Sequence, residues 1–341
     1  MLFGKPKKNT INLGLQGGGA HGAFTWGVID GLLEDGRLKF EGVSGTSAGA
    51  MNAVILAQGL MSGGRDGARA ALKTFWTAVA GSLPFEIAVP SADGQNVHLV
   101  PAMKMLLQWS HYFSPQQLNP LDLNPLKEIL GAQVDFERLR EHSPVKLFIA
   151  ATHANSGKVK LFRSPEVSAD AILASACLPS MARAVEIDGE PYWDGGYAAN
   201  PAVFPLVYEC DASDILLVLL TPLKHKATPH AAHEIKDRVL ELVFNATFLR
   251  EMRMFAHARE HVGHSWFRRG SLERRLVGIN FHVIDAEERL GELKTETKLA
   301  ANMRFFELLR DWGREQAKAW LQAHHAQVGK RSSVDIGELF Y

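Results

Sequence analysis

Apolar positions in the first eighty residues fall into short runs that end in glycine, each followed by a longer stripe at helical spacing. Ile11-Asn12-Leu13-Gly14-Leu15 has the length of a buried strand, and Ala23 to Leu33 has the pattern of a helix. Phe40 to Ser44 predicts a second strand. Ala50 to Ala57 predicts a second helix, which Gly59 should terminate, with a glycine-rich link at Ser62-Gly63-Gly64 and a further helix from Asp66. Val145 to Thr152 and Lys158 to Phe162 flank the turn residues Asn155-Ser156-Gly157 and predict a hairpin. Ile215 to Leu220 reads as a fully buried strand. His230 to His264 reads as one long amphipathic helix or two, Val277 to Ile284 as a late strand, and Glu296 to Ala326 as a last long helix carrying Trp312 and Trp320. Strands alternating with helices predict an α/β fold with a mostly parallel sheet. No internal repeat interrupts the pattern.

The character changes between Pro84 and Pro125. Pro84, Pro90, Pro101, Pro115, Pro120 and Pro125 punctuate a stretch rich in apolar and aromatic residues, among them Phe85, Ile87, Val89, Met103, Met105, Leu106, Leu107, Trp109, Tyr112 and Phe113. Such an insertion cannot bury all of these by itself. It is either a cap packed on the main sheet or a mobile lid that contacts acyl chains or lipid, and both readings place it over the mouth of a site.

Chemistry concentrates at the two early turns. Gly45-Thr46-Ser47-Ala48-Gly49 lies between the second strand and the second helix, the context in which a serine hydroxyl projects from the edge of a sheet. Gly45 and Gly49 suit a turn in which a neighbouring Cβ would clash. Upstream, Gln16-Gly17-Gly18-Gly19-Ala20-His21-Gly22 joins the first strand to the first helix. Its backbone N–H groups would lie at the positive end of a helix dipole, ready for an anion. That anion could be a pyrophosphate, since Gly17, Gly19 and Gly22 fit G-x-G-x-x-G and Glu41 lies at the distance of a ribose ligand. It could equally be the oxyanion of a tetrahedral acyl intermediate. The second specialised turn, coming directly after Glu41, favours the oxyanion, because a dinucleotide domain has no use for it.

A third element is Tyr192-Trp193-Asp194-Gly195-Gly196, which taken alone is a common turn sequence. Gly-Gly-Gly-Ala-His-Gly, Gly-Thr-Ser-Ala-Gly and Asp-Gly-Gly in this order resemble the patatin-like phospholipase family. So do Ala174-Ser175-Ala176-Cys177-Leu178-Pro179 and Asn200-Pro201 around the aspartate. The resemblance runs from about Ile11 to Leu220. It implies a three-layer sandwich with a mostly parallel central sheet, helices on both faces and a cap or lid insertion. It also implies a Ser–Asp dyad without a catalytic histidine: Ser47 as nucleophile, Asp194 as general base, and the amides of Gly17, Gly18 and Gly19 as oxyanion hole. Gly22, Gly45, Gly49, Gly195 and Gly196 support the motifs. The chain departs from the family at His21, where many relatives carry Arg or Lys, which puts only a supplementary positive charge in doubt. On this reading residues 8–290 form the catalytic domain with 84–125 inserted, and residues 291–341 are a C-terminal helix and tail packed on it.

The chemistry is consistent without the family. A serine hydroxyl is a poor nucleophile until a base takes its proton. A carboxylate near its usual pKa of about 4 is a weak base, so Asp194 must act by short contact in a poorly hydrated cleft. The rival arrangement is a Ser–Asp–His triad. The chain has 14 His, several after Asp194, including His225, His230, His233, His257, His261 and His264. Against it stand the glycine turn on the first strand and the absence of preceding antiparallel strands. The helically spaced histidines lack acidic or Cys partners for a metal, so no metal and no cofactor is expected. Cys177 and Cys210 are too few for a disulfide framework; Cys177 reads as a packed core thiol, and Ser175 as a structural residue at a tight approach near the dyad.

Composition bounds the rest. At 341 residues and 46% hydrophobic, the chain can bury a sizeable core. Lys+Arg and Asp+Glu both number 37, so no charge excess points to nucleic acid. No apolar stretch of signal-peptide length follows Lys5, Lys7 and Lys8, and no run approaches the ~20 apolar residues of a membrane span. A cytosolic protein is the simplest reading, with a lipid or acyl-ester substrate and peripheral contact with a membrane surface. Three functions follow: hydrolysis of phospholipids or lysophospholipids; the same dyad on a neutral lipid, storage polyester or transacylation acceptor; and non-catalytic lipid binding, which the intact set of catalytic elements disfavours.

Overall fold

Thr10–Leu15 forms β1 with every residue buried, as an apolar run of this length requires when both faces of a sheet are covered. The structure is a computed structural model and describes residues 9–82, 88–90, 97–101, 103, 105, 114–225, 227–263, 270–285 and 287–341. α1 (Gly22–Asp35), β2 (Lys39–Thr46) and α2 (Ala48–Ala80) complete two strand–turn–helix units. A small antiparallel pair, β3 (Ala88–Pro90) and β4 (Val97–Leu99), precedes α3 (Pro115–Leu118), α4 (Pro125–Gln133) and α5 (Phe136–His142). β5 (Lys146–His153) and β6 (Val159–Arg163) form the predicted hairpin. α6 (Ala169–Ser175) leads to a second hairpin, β7 (Val185–Ile187) and β8 (Glu190–Asp194), turned by Asp188 and Gly189 at positive φ. The chain continues through α7 (Phe204–Tyr208), β9 (Asp214–Val218), α8 (Ala232–Gly263), α9 (Ser271–Gly278), β10 (Asn280–Ile284), α10 (Glu287–Leu290), α11 (Met303–His324) and α12 (Ile336–Phe340).

The sheet runs β10-β9-β1-β2-β5-β8-β7, with β6 paired to β5 off this path. Neighbours from β10 to β5 are parallel, while β8 and β7 enter antiparallel at the far side. Alternate residues of β9 face opposite layers. Leu216 and Val218 join Ile11, Leu13 and Leu15 in a core shared with α1, α2 and α11, whereas Ile215 and Leu217 join Phe248, Met252 and Phe340 from α8 and α12. Helices thus cover both faces of a mostly parallel sheet. On one face α11 lies directly on α1: a Cβ at Gly27 would overlap the Arg310 carbonyl, and one at Gly313 the Phe24 carbonyl.

Three expected boundaries are corrected. Gly59 does not end its helix; it lies within α2, where Ala68 and Gly67 pack against it, and the break falls at Gly63 and Gly64, whose φ/ψ are non-helical. Val277 belongs to α9, not to a strand. That helix is held in place by Arg275, whose guanidinium donates to the carbonyls of Val207, Cys210, Asp211 and Ala212. The last long helix begins at Met303, because the Asn302 side chain caps it by accepting the Phe305 N–H; Thr295–Leu299 is a separate 3₁₀ turn. Of the insertion, Phe85, Ile87, Leu106, Leu107, Trp109, Tyr112 and Phe113 lie outside the described residues. Met103 packs on the main core, Met105 is exposed, and β4 lies against the Thr295–Leu299 turn.

Candidate active site

β1 and β2 are parallel neighbours with Leu15 opposite Gly45, so the turns that follow them emerge side by side at the carboxyl edge of the sheet. Ser47 occupies the second turn with φ 54° and ψ −123°, a strained conformation for a residue with a Cβ. Close packing enforces it. A Cβ at Gly49 would overlap the Leu15 carbonyl oxygen, and one at Gly45 would lie 2.5 Å from the Gly49 oxygen. The Ser47 N–H donates to Ser175 Oγ at 2.9 Å, and its carbonyl accepts from Met51 N at 3.1 Å, which starts α2. Ser47 is half-buried between the buried residues Thr46 and Ala48.

Asp194 arrives at the same level by register. Thr46 on β2 pairs with Ala150 on β5, and the next residue of β5, Ala151, pairs with Asp194 on β8. Its backbone is held by Asp194 N–H to the Cys177 carbonyl and by Thr152 Oγ1 to its own carbonyl, both 2.8 Å. Gly195 then crosses directly over the Ala150 carbonyl, where no Cβ would fit, and Gly196 lies against the Phe244 ring of α8. The carboxylate accepts the Gly196 N–H at Oδ1 (2.7 Å), and the Ser47 side chain lies near enough to favour its ionised form. It is 1% exposed, and burial pushes its pKa up to about 7 against the opposing pull of the Gly196 N–H and the Ser47 side chain. The expectation of a weak base near pKa 4 is corrected: desolvation makes Asp194 basic near neutrality.

The glycine turn departs from expectation at its first member. Gly17 N–H donates to Asn200 Oδ1 at 2.7 Å and is not available to an oxyanion. Gly18 is half-buried and Gly19 exposed, and neither amide donates to another described residue. Gly22 opens α1 against Ala48, so the glycine turn and the serine turn are packed together. His21 points into the core. Thr297 Oγ1 donates to the Lys294 carbonyl and therefore accepts from His21 Nε2 at 2.8 Å, which leaves Nδ1 unprotonated and without a partner among the described residues. Burial, and then the charge of Lys298, lowers the His21 pKa to about 3, so the side chain supplies no positive charge. The Lys298 carbonyl abuts Gly19; burial lowers the pKa of its ammonium, opposed by Glu241 and Asp237.

Among the described residues no histidine hydrogen-bonds Ser47 or Asp194. His153 bonds Glu190, His225 bonds Glu241, His261 bonds the His257 carbonyl, and His282 bonds Asp214 and Ser333. His264 lies outside the described residues. Sequence reasoning gave Asn200 and Gln16 no role beyond their motifs and passed over Asn245. Gln16 Oε1 accepts from Leu220 N and Thr221 N, so its Nε2 must be the group that reaches Asn245 Oδ1 on α8, at 3.0 Å. Asn200 had a signal, its place in Ala-Asn-Pro after Asp-Gly-Gly; Asn245, in mid-helix, had none. Both cysteines are free and buried. No described helix is long and apolar enough to cross a membrane.

The family model described as patatin-like phospholipase matches residues 13–207, more than half of the chain. Among curated proteins none matches. Among solved structures, the crystal structure of VipD from Legionella pneumophila is similar at TM-score 0.40 and 17% identity, covering 98% of this chain and 73% of that one.

Proposed function

Because the chain belongs to the patatin-like phospholipase family, we propose that it cleaves acyl esters of phospholipids or lysophospholipids through a Ser47–Asp194 dyad. The observation that carries this reading is the strained turn that presents Ser47 at the level of the buried, basic Asp194, packed against a glycine turn whose Gly18 and Gly19 are not fully buried. Asp194 takes the hydroxyl proton as Oγ attacks the ester carbonyl. The oxyanion that forms is received by the amides of Gly18 and Gly19, each worth about 3–4 kcal/mol in such a setting. As the intermediate collapses, the C–O bond to the alcohol breaks and Asp194 returns its proton to that alcohol. Water then attacks acyl-Ser47 by the same route, releasing the fatty acid and restoring the serine.

In this reading the catalytic domain spans residues 8–290 with 84–125 inserted, and residues 291–341 pack on it, which the contact of α11 with α1 supports. The setting is cytoplasmic with peripheral contact on a lipid surface, in keeping with two free, buried cysteines. The test combines a fluorophosphonate probe with mass spectrometry of a total lipid extract. Wild type should be labelled at Ser47 and should deplete acyl lipids, with free fatty acid as the product. Ser47→Ala should do neither, its rate falling about a thousandfold or more. Labelling at another residue, or turnover by Ser47→Ala, rejects the dyad; products re-esterified to another alcohol identify a transacylase.

A further inference from the structure

We infer that Asn200 is a positioning residue that fixes the oxyanion-stabilising turn by holding the one glycine amide that does not face the substrate. This deepens the hydrolase reading and rests on it. Three successive glycines have more backbone freedom than any other tripeptide, so amides set in advance for an oxyanion need an anchor. Gly17 has one. Its N–H is held at 2.7 Å by Asn200 Oδ1, and a Cβ there would lie 2.8 Å from both Ser47 Cβ and the Thr46 oxygen. Since the Gly17 N–H can only donate, the carboxamide orientation is determined: oxygen inward, toward the turn.

Asn200 is itself clamped. Thr46 Oγ1 donates to the Ala199 carbonyl at 2.8 Å, and Ser44 Oγ donates to the Ala202 carbonyl at 2.6 Å. Two hydroxyls on β2, the strand that delivers Ser47, thus bracket the residue that sets the glycine turn. The Ala199 N–H also returns to the Gly195 carbonyl at 2.7 Å, so the segment that begins with the base ends with the anchor of the hole. Nucleophile, base and oxyanion donors are registered to one another through Asn200, which is 2% exposed. With Gly17 anchored, the peptide planes of Gly18 and Gly19 are aimed before the ester arrives, so no reorganisation accompanies the charge that develops.

The experiment compares wild type with Asn200→Ala on a soluble ester and on a trifluoromethyl ketone. Ser47 Oγ adds to the ketone's carbonyl carbon as its proton passes to Asp194, and the carbonyl oxygen becomes an oxyanion held by the same amides. Rates are normalised to the sites titrated by fluorophosphonate, which removes any loss through unfolding. Asn200→Ala should lower kcat about 100-fold with KM within about twofold, and weaken the ketone in parallel with kcat. A residue of merely structural importance would lower the yield of titratable sites and leave kcat per site unchanged; that result overturns the proposal. Amide hydrogen exchange on the wild type gives a second measurement that needs no variant. Gly17 should be protected in the free enzyme, and Gly18 and Gly19 should become protected only when the ketone binds. Free exchange at Gly17, or protection gained there with the ketone, overturns the assignment. Failure of wild-type Ser47 to react with the fluorophosphonate overturns the hydrolase reading and this proposal together, whereas a labelled Ser47 with unchanged Asn200→Ala kinetics overturns this proposal alone.

Discussion

Ser175 Oγ accepts the N–H of Ser47 at 2.9 Å, so the last residue of α6 holds the backbone of the strained turn from below. Ser175 is fully buried, and no water replaces it without a cavity being opened. Ser175→Ala removes the acceptor and leaves a part-buried amide unsatisfied, a loss of about 1–3 kcal/mol. The turn should then relax away from φ 54°, and kcat should fall about 10- to 100-fold while substrate affinity changes little. Urea denaturation and steady-state kinetics on the same preparation check both effects. Loss of stability with full activity would show that the turn is held by its glycines alone.

The pKa of Asp194, raised to about 7 by burial, sets the pH dependence. In the proposed dyad the ionised carboxylate is the active form, so kcat/KM for a soluble ester should rise through a limb near pH 7 and level off above it. At pH 5 it should be about 100-fold below the plateau. For stability the sign runs the other way. The folded pKa lies above the ordinary 3.8, so protonated Asp194 favours the fold, and that contribution is complete below pH 3.8 and lost as pH rises through 7. Asp194→Asn should therefore be inactive and more stable than wild type at pH 8, by on the order of 2–4 kcal/mol, with the difference gone by pH 4. Thermal melts at the two pH values decide it.

Two helical glycines should respond in opposite ways. Gly49→Ala drives a Cβ into the Leu15 carbonyl and separates α2 from β1, so the variant should be destabilised by more than about 3 kcal/mol or fail to fold. Gly131→Ala, at an exposed position within α4, meets no atom within 4 Å, so it should leave the fold intact and raise stability by about 0.5–1 kcal/mol. Chemical denaturation of the pair is the measurement.

The two strand–turn–helix units could be read in advance because each is a local pattern: a short apolar run, glycines, then a helical stripe. Ser47 and Asp194 could be read for the same reason, through the glycines that flank them. What escaped was anything set by partners distant in the chain. The Gly17–Asn200 bond spans 183 positions, and no property of Gly17 distinguishes it from Gly18 until the loop carrying Asn200 is folded over it. Gly59 looked like a helix terminator on local propensity, but tertiary contact with Ala68 gives a glycine there a packing role. The basicity of Asp194 was also hidden, since it comes from burial and not from neighbouring residues in sequence.

The placement of β1 between β2 and β9 has a consequence for synthesis on the ribosome. β2 is made soon after β1, but Asp214 follows Leu15 by roughly 200 residues, an interval of about 10–40 s at the usual 5–20 residues per second. Throughout that interval the nascent chain carries a strand destined for full burial with one edge unpaired, a template for pairing with the wrong partner. The segment that holds all three motifs ends before β9 is made, so the residues of the site are synthesised in full before the sheet that positions them can close.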